Sequence, residues 1–135
     1  MVLDASITIA WVNEQETTPA IEAVFASLDQ TRAFVPELWW LEVANALQMG
    51  VRRHRFSAEK RAIYLRTLGG FTITTDHETG SRAWNETLAL SDRHNLTVYD
   101  AAYLELALRR QLPLATLDGE LRTAAATGGV ALLGA

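Results

Sequence analysis

The chain has 135 residues, of which 49% are hydrophobic and 21% charged, and its formal net charge is -4. This composition fits one globular domain and excludes a disordered or collagen-like chain. The absence of cysteine excludes disulfides, thiolate zinc sites and iron–sulfur clusters, and it fits a protein of the reducing cytoplasm. No apolar stretch approaches the ~20 residues that span a bilayer, and the acidic balance argues against a protein that coats nucleic acid.

Short β-type segments alternate with helical ones, which predicts one α/β domain over residues 1–135 with a parallel sheet. In chain order, the predicted elements are a strand at Met1–Leu3, a strand or helix at Ile7–Val12, a helix at Pro19–Leu28, a strand at Ala33–Val35, helices at Glu37–His54 and Ser57–Leu68, a strand at Phe71–Thr75, helices at Thr79–His94 and Tyr99–Gln111, a strand at Pro113–Leu117, a helix at Asp118–Thr127 and a strand at Val130–Leu133. Thr18 and Ser57 are predicted helix caps. Leu96–Val98 is predicted to be a loop rather than a sixth strand.

Two acids directly follow predicted strands. Asp4 follows Met1–Leu3, and Asp118 follows the apolar residues of the fourth strand. Ligands of parallel α/β sheets bind at the carboxyl ends of the strands, so both acids are candidate site residues. Each is equally well explained as a helix N-cap, a position that aspartate favours.

Two further acids lie on helices whose other residues are mostly apolar. Glu42 and Asn45 are the only polar side chains in the segment LWWLEVANAL, and Asp100 lies in TVYDAAYLELALRR. A buried carboxylate is costly unless a metal ion, a cation or hydrogen bonds compensate its charge. The alternatives are a solvated helix edge for Glu42 and a first-turn acid favoured by the helix dipole for Asp100. Glu105 is predicted to form a surface ion pair with Arg109, four residues later.

The residue types of this acidic set indicate which metal it could hold. Four acids offer oxygen ligands: Asp4, Glu42, Asp100 and Asp118. Mg²⁺ and Mn²⁺ accept such ligands, whereas the three histidines lie far apart and do not indicate a zinc site. The spacing alone leaves open whether the four acids converge.

Four segments of the chain occur in the order and spacing of a known family. They are VLDAS with Asp4 and Ser6, LEVANAL with Glu42 and Asn45, LTVYDAAYLELA with Asp100, and LATLDGEL with Thr116 and Asp118. Each segment alone is a weak signal. Together they resemble the PIN-domain ribonucleases, specifically the VapC-type toxins of bacterial and archaeal toxin–antitoxin pairs.

The resemblance implies a five-stranded parallel sheet in the order 3-2-1-4-5, flanked by helices, with LTV outside the sheet. It also implies an endoribonuclease that depends on Mg²⁺ or Mn²⁺ and leaves 5′-phosphate and 3′-hydroxyl ends. The four acids would hold one or two ions and carry out catalysis, with hydrogen-bonding support from Ser6, Asn45 and Thr116. The expected partners are an RNA substrate, a cognate VapB-like protein antitoxin and a second copy of the chain in a homodimer.

Two alternatives to a ribonuclease toxin stay open: a catalytically silent PIN-like module that binds a protein, and an RNA-processing nuclease without a toxin role. Two other classes built on similar sheets fit less well. A phosphatase with an aspartate nucleophile needs a second aspartate two residues after the first, and Ser6 occupies that position. A phosphorylatable receiver domain needs a lysine after its last strand, whereas the only lysine is Lys60, on a middle helix.

A basic cluster and a tryptophan pair are candidate contact surfaces. Arg52, Arg53 and Arg55 are candidate contacts for RNA phosphates, although a solvated helix end explains them equally well. Trp39 and Trp40 point about 100° apart on one helix, so one is predicted to be exposed at an antitoxin contact. The alternative, equally well supported, is that the second Trp packs under a neighbouring helix or at a homodimer interface. The four acids account for the whole formal net charge of -4. Divalent ions bound to them would cancel this negative charge, so the acidic composition is compatible with binding RNA.

Overall fold

All four strand pairings in the sheet are parallel. The computed structural model describes residues 1–135, and its strands are β1 Val2–Leu3, β2 Ala33–Pro36, β3 Ile73–Asp76, β4 Leu114–Ala115 and β5 Leu132–Leu133. Their order across the sheet is β3-β2-β1-β4-β5, which confirms the predicted α/β fold and strand order. Leu3 of β1 lies opposite Ala115 of β4, so the segments after these strands leave the same edge of the sheet side by side.

Eight α-helices connect and flank the strands. They are α1 Ala5–Val12, α2 Pro19–Ser27, α3 Leu38–Arg52, α4 Ala58–Leu68, α5 Thr79–Arg82, α6 Leu88–His94, α7 Val98–Arg110 and α8 Gly119–Thr127. None of these helices combines the length and the apolar character needed to cross a membrane.

The core is built around α7, in which Ala101–Ala107 are all buried. A helix buried on most faces must be covered on most sides, and α7 packs against β1, β2 and β4 as well as against neighbouring helices. On another part of the core, the ring of Trp11 stacks on that of Phe25 with centroids 4.2 Å apart. The packing of α7 fixes the position of its first turn, which carries Asp100.

The predicted helix starts are confirmed by side-chain caps. The hydroxyl of Thr18 accepts a hydrogen bond from the N–H of Ile21 (3.3 Å), and that of Ser57 accepts one from Lys60 (3.1 Å). A hydroxyl in this position satisfies a backbone donor that the helix itself leaves unpaired. The ambiguous segment Ile7–Val12 is helical, and Leu96–Val98 lies outside the sheet, as predicted.

The helix predicted over Thr79–His94 forms without a break, but it is not α-helical throughout. A π-helical turn, Ala83–Thr87, separates α5 from α6. This turn buries Thr87 completely and leaves Trp84 87% exposed. A π-helix closes i→i+5 hydrogen bonds, and the apolar periodicity used to predict helices carries no signal for that change.

An ion-pair network connects the end of β3 to the end of α7. Arg109 Nε lies 2.7 Å from Glu105 Oε1, but Glu105 is 4% exposed, so the predicted pair exists and its predicted surface position is wrong. Glu105 is buried because it lies in the segment Ala101–Ala107 of α7, which is buried throughout. The fully buried carboxylate of Asp76 also pairs with Arg109 (2.7 Å) and Arg110 (2.9 Å). Burial alone would raise the pKa of Asp76, but the hydrogen bonds from the two arginines outweigh it and hold the pKa at about 2.

The Asp76 network predicts acid-sensitive stability. Because the folded-state pKa of Asp76 is depressed below its ordinary value of 3.8, its contribution is present above that value and is lost as the pH falls towards 2. Between pH 5 and pH 2 we expect the wild type to lose about 2 kcal/mol more unfolding free energy than Asp76→Asn. Denaturant unfolding at several pH values measures this difference, with the exposed Asp92→Asn as control. Parallel pH profiles of wild type and Asp76→Asn would contradict it.

Candidate active site

Strand register places Asp4 beside Thr116. Because Leu3 pairs with Ala115, the next residues along β1 and β4, Asp4 and Thr116, leave the sheet together. Thr116 Oγ1 donates to Asp4 Oδ2 at 2.6 Å, and Ser6 Oγ donates to the same oxygen at 2.5 Å. Both contacts use Oδ2, which leaves Oδ1 free of side-chain hydrogen bonds. Burial raises the pKa of Asp4, and the two hydroxyl donors oppose that rise.

Glu42 projects from α3 towards α7 and meets Tyr103. The phenol of Tyr103 is fully buried and donates to Glu42 Oε2 at 2.5 Å. The pKa of Glu42 is raised by burial, and the charges of Asp4 and Asp100 add to the rise, whereas the Tyr103 hydrogen bond opposes it. The pKa of Tyr103 is itself strongly raised, chiefly by burial, so the phenol stays protonated and acts only as a donor.

Asp100 lies on the first turn of α7, next to the start of α8. Thr97 Oγ1 donates to Asp100 Oδ2 at 2.9 Å and accepts from the backbone N–H of Asp100 at 3.1 Å. Burial raises the pKa of Asp100, and the nearby charges of Asp118, Asp4 and Glu120 raise it further. Asp118 Oδ1 accepts from the N–H of Leu121 at 2.7 Å, so this acid also caps α8.

The four acids therefore lie close enough to interact through their charges. Burial raises the pKa of Asp4, Glu42 and Asp100, and like charge raises it further for Glu42 and Asp100. Every hydrogen bond that the four acids accept comes from a neutral hydroxyl or a backbone N–H. In the positions they occupy, no three acidic or histidine side chains form a closed set of metal ligands. Mg²⁺ usually keeps several waters and needs only one or two protein carboxylates, so this donor set fits such an ion.

Asn45 and the predicted arginine cluster make no hydrogen bond or ion pair with the acids, and two residues near the acids were missed. Asn45 is exposed on α3 and makes no hydrogen bond with an acid. Arg52, Arg53 and Arg55 are exposed at the far end of α3, where Arg52 lies about 15 Å along the helix axis from Glu42. Sequence reasoning missed Tyr103 and Glu120 as site neighbours. The helical spacing of Asp100 and Tyr103 was the available signal for the tyrosine, whereas Glu120 had none.

One further arginine supports this edge without touching the acids. Arg122 Nη1 on α8 donates to the backbone carbonyls of Thr116 (2.7 Å) and Leu133 (3.1 Å). The guanidinium thus joins the segment after β4 to the end of β5. Its contacts are with carbonyl oxygens, so it helps hold Thr116 against Asp4 and leaves the charges of the acids unpaired.

Comparison with known proteins agrees with the fold and identifies the family. The PIN domain family matches residues 1–126, and the chain belongs to that family, which confirms the sequence-based recognition. The chain is similar to Ribonuclease VapC3 of Pyrobaculum aerophilum, with 29% identity over 121 residues that cover 90% of this chain and 91% of the relative. The fold matches the crystal structure of PAE2754 from Pyrobaculum aerophilum with a TM-score of 0.70 and 24% identity, over 97% of this chain and 81% of that one.

Repulsion at the site predicts that a neutral substitution stabilises the metal-free protein. The pKa of Asp100 is raised on folding, so its ionised form destabilises the fold at neutral pH, and this cost disappears as the pH falls below its ordinary value of 3.8. In a chelator at pH 7, Asp100→Asn should raise the free energy of unfolding by up to about 1 kcal/mol. Chemical denaturation checks this, with the exposed Asp29→Asn as control. The gain should shrink on acidification, and a less stable variant at pH 7 would contradict the interpretation.

Proposed function

We propose that this PIN-domain protein is a Mg²⁺- or Mn²⁺-dependent endoribonuclease that hydrolyses RNA phosphodiester bonds in the cytoplasm. The observation that carries the proposal is a group of four interacting carboxylates, three with raised pKa values, at the carboxyl edge of a parallel sheet. Family membership and the similarity to a ribonuclease support a nuclease activity. A catalytically silent binding module would not explain why these four negatively charged side chains are held close together.

The acids Asp4, Glu42, Asp100 and Asp118 are the proposed metal-holding and catalytic residues. When bound, Mg²⁺ or Mn²⁺ would supply Lewis-acid chemistry, activating a water molecule and neutralising charge on the phosphate. The side chains around the acids fix their orientation: Ser6 and Thr116 hold one oxygen of Asp4, and Tyr103 holds one oxygen of Glu42. The remaining carboxylate oxygens are available to a cation or to water.

We further propose that the protein acts as a homodimeric toxin restrained by a VapB-like antitoxin. Its similarity to a protein named VapC3 supports that role.

A groove of about 460 Å³ lies between α1, α3 and α4, and its apolar lining includes Ile9, Val12, Leu47 and Phe56. Phe56 can form one wall because Gly50 has no side chain: a Cβ at Gly50 would overlap the Phe56 ring. Glu14 and Lys60 on the groove lining suit an antitoxin segment that carries apolar residues and both charges.

Removal of one acid tests the nuclease mechanism. With Mn²⁺ and purified protein, Asp4→Asn and Asp100→Asn should each lower RNA cleavage by more than about 100-fold, because each takes away a carboxylate that holds the ion. The fold should persist by circular dichroism, and the control Asp29→Asn should stay active. Cleavage assays with mapping of the RNA ends should give 5′-phosphates. Full activity of either variant, or of the wild type in chelator, would refute the mechanism.

The role of Tyr103 is tested separately from activity. Tyr103→Phe retains the buried ring but removes the hydrogen bond that orients Glu42, so Mn²⁺ affinity should fall by about 10-fold or more. Calorimetric titration with Mn²⁺ measures this loss, and the control Tyr64→Phe, at the groove between α1, α3 and α4, should bind like the wild type. An unchanged Mn²⁺ affinity in Tyr103→Phe would show that the phenol supports only the core.

A further inference from the structure

Two aromatic side chains are exposed at the sheet edge that carries the acids. Trp40 lies on the first turn of α3 and is 48% exposed, and Tyr99 lies on the first turn of α7 and is 65% exposed. Tyr99 directly precedes Asp100, and Trp40 lies two residues before Glu42. Both rings therefore lie on the helices that carry Glu42 and Asp100. Because side chains two residues apart on a helix do not face each other, the position of Trp40 is set by its contact with β3 and not by Glu42.

Trp40 is held in one orientation although it is exposed. Its Nε1 donates to Thr75 Oγ1 at 2.8 Å, and its ring meets the buried Trp39 edge to face, with centroids 4.8 Å apart and an interplanar angle of 89°. Trp39 is fixed in turn by packing and by a hydrogen bond to Thr8 Oγ1 at 3.4 Å. A large aromatic ring that is already immobilised loses little conformational entropy when a ligand stacks on it.

The position of Trp40 relative to the acids follows from the sheet. Thr75 lies in β3, which is separated from β1 by β2 alone. Neighbouring strands lie about 4.8 Å apart, so Trp40 is anchored roughly 10 Å from the strand that ends at Asp4. A short extended stretch of RNA spans that distance, so a nucleotide near a phosphate at the acids can reach the indole.

Charge favours stacking over phosphate contacts as the source of RNA affinity at this edge. The net charge is -4, and the predicted arginine cluster lies at the opposite end of α3 from Glu42. Unpaired bases stack on aromatic side chains whatever their sequence, and such stacking does not need a basic surface. An exposed, immobilised indole beside an acidic site suits a nucleobase.

We propose that Trp40 and Tyr99 bind unpaired nucleobases of the RNA substrate by stacking and thereby position the phosphate at the acids. This inference rests on the proposed ribonuclease function. It makes two residues outside the acidic set determinants of RNA binding. Trp40 is the fixed platform, and Tyr99 provides a second one beside Asp100.

The test is a double-mutant cycle in which each protein substitution is combined with the removal of one base from the RNA. Binding of a labelled single-stranded RNA is measured by fluorescence anisotropy in chelator, with a series of oligonucleotides that each lack one base. Trp40→Ala should weaken binding about 10- to 100-fold, Trp40→Phe should restore most of it, and Thr75→Val should weaken it less. One abasic position should weaken wild-type binding but leave Trp40→Ala unaffected. A different abasic position should behave in the same way with Tyr99→Ala.

The matched control is Trp84→Ala, which removes the other strongly exposed indole, in the π-helical turn, and should bind RNA like the wild type. If Trp40→Ala binds every oligonucleotide normally but changes the oligomeric state in sedimentation, the indole is a protein contact and the inference is wrong. If wild type with Mn²⁺ cleaves RNA and Trp40→Ala has unchanged KM and kcat, stacking also fails. If the cycle succeeds but Mn²⁺ yields no cleavage, stacking stands and the nuclease proposal fails.

Discussion

Uncompensated negative charge at the carboxyl edge of the sheet is the constraint around which the other features of the site are arranged. Each acid accepts hydrogen bonds from neutral groups: hydroxyls for Asp4, Glu42 and Asp100, and a backbone N–H for Asp118. Neutral donors orient a carboxylate without cancelling its charge. The repulsion is therefore retained in the folded protein, where a cation can relieve it.

At the end of β3, on the same edge of the sheet, a buried carboxylate is paired with positive charge. Asp76 is as deeply buried as Asp4, but two arginines reach its carboxylate and its pKa falls to about 2. A carboxylate paired in this way supports the structure and has little remaining attraction for a metal ion. Burial alone therefore does not mark the site; the distinguishing feature is burial without a cationic partner.

The sequence predicted the helices and strands well because these elements have local signals, and it drew attention to the four acids through their positions after strands and on apolar helices. Apolar periodicity and hydroxyl caps located the helices. The order 3-2-1-4-5 came from the resemblance rather than from any pattern in the strands, three of which contain only two residues: Val2–Leu3, Leu114–Ala115 and Leu132–Leu133. Features that depend on tertiary contacts were missed. Tyr103 reaches Glu42 only because α3 and α7 bring the two side chains together, and Glu105 is buried by the elements that surround α7.

The π-helical turn also bears on how this fold accommodates changes in chain length. An i→i+5 turn contains one residue more than the equivalent α-helical turn. Deleting a single residue within Ala83–Thr87 would convert the turn to an ordinary α-helix without shifting the register of α6 against α7. Relatives that differ by one residue in this segment can therefore share the same helix packing, and an alignment gap here signals a change of helix type rather than a change of fold.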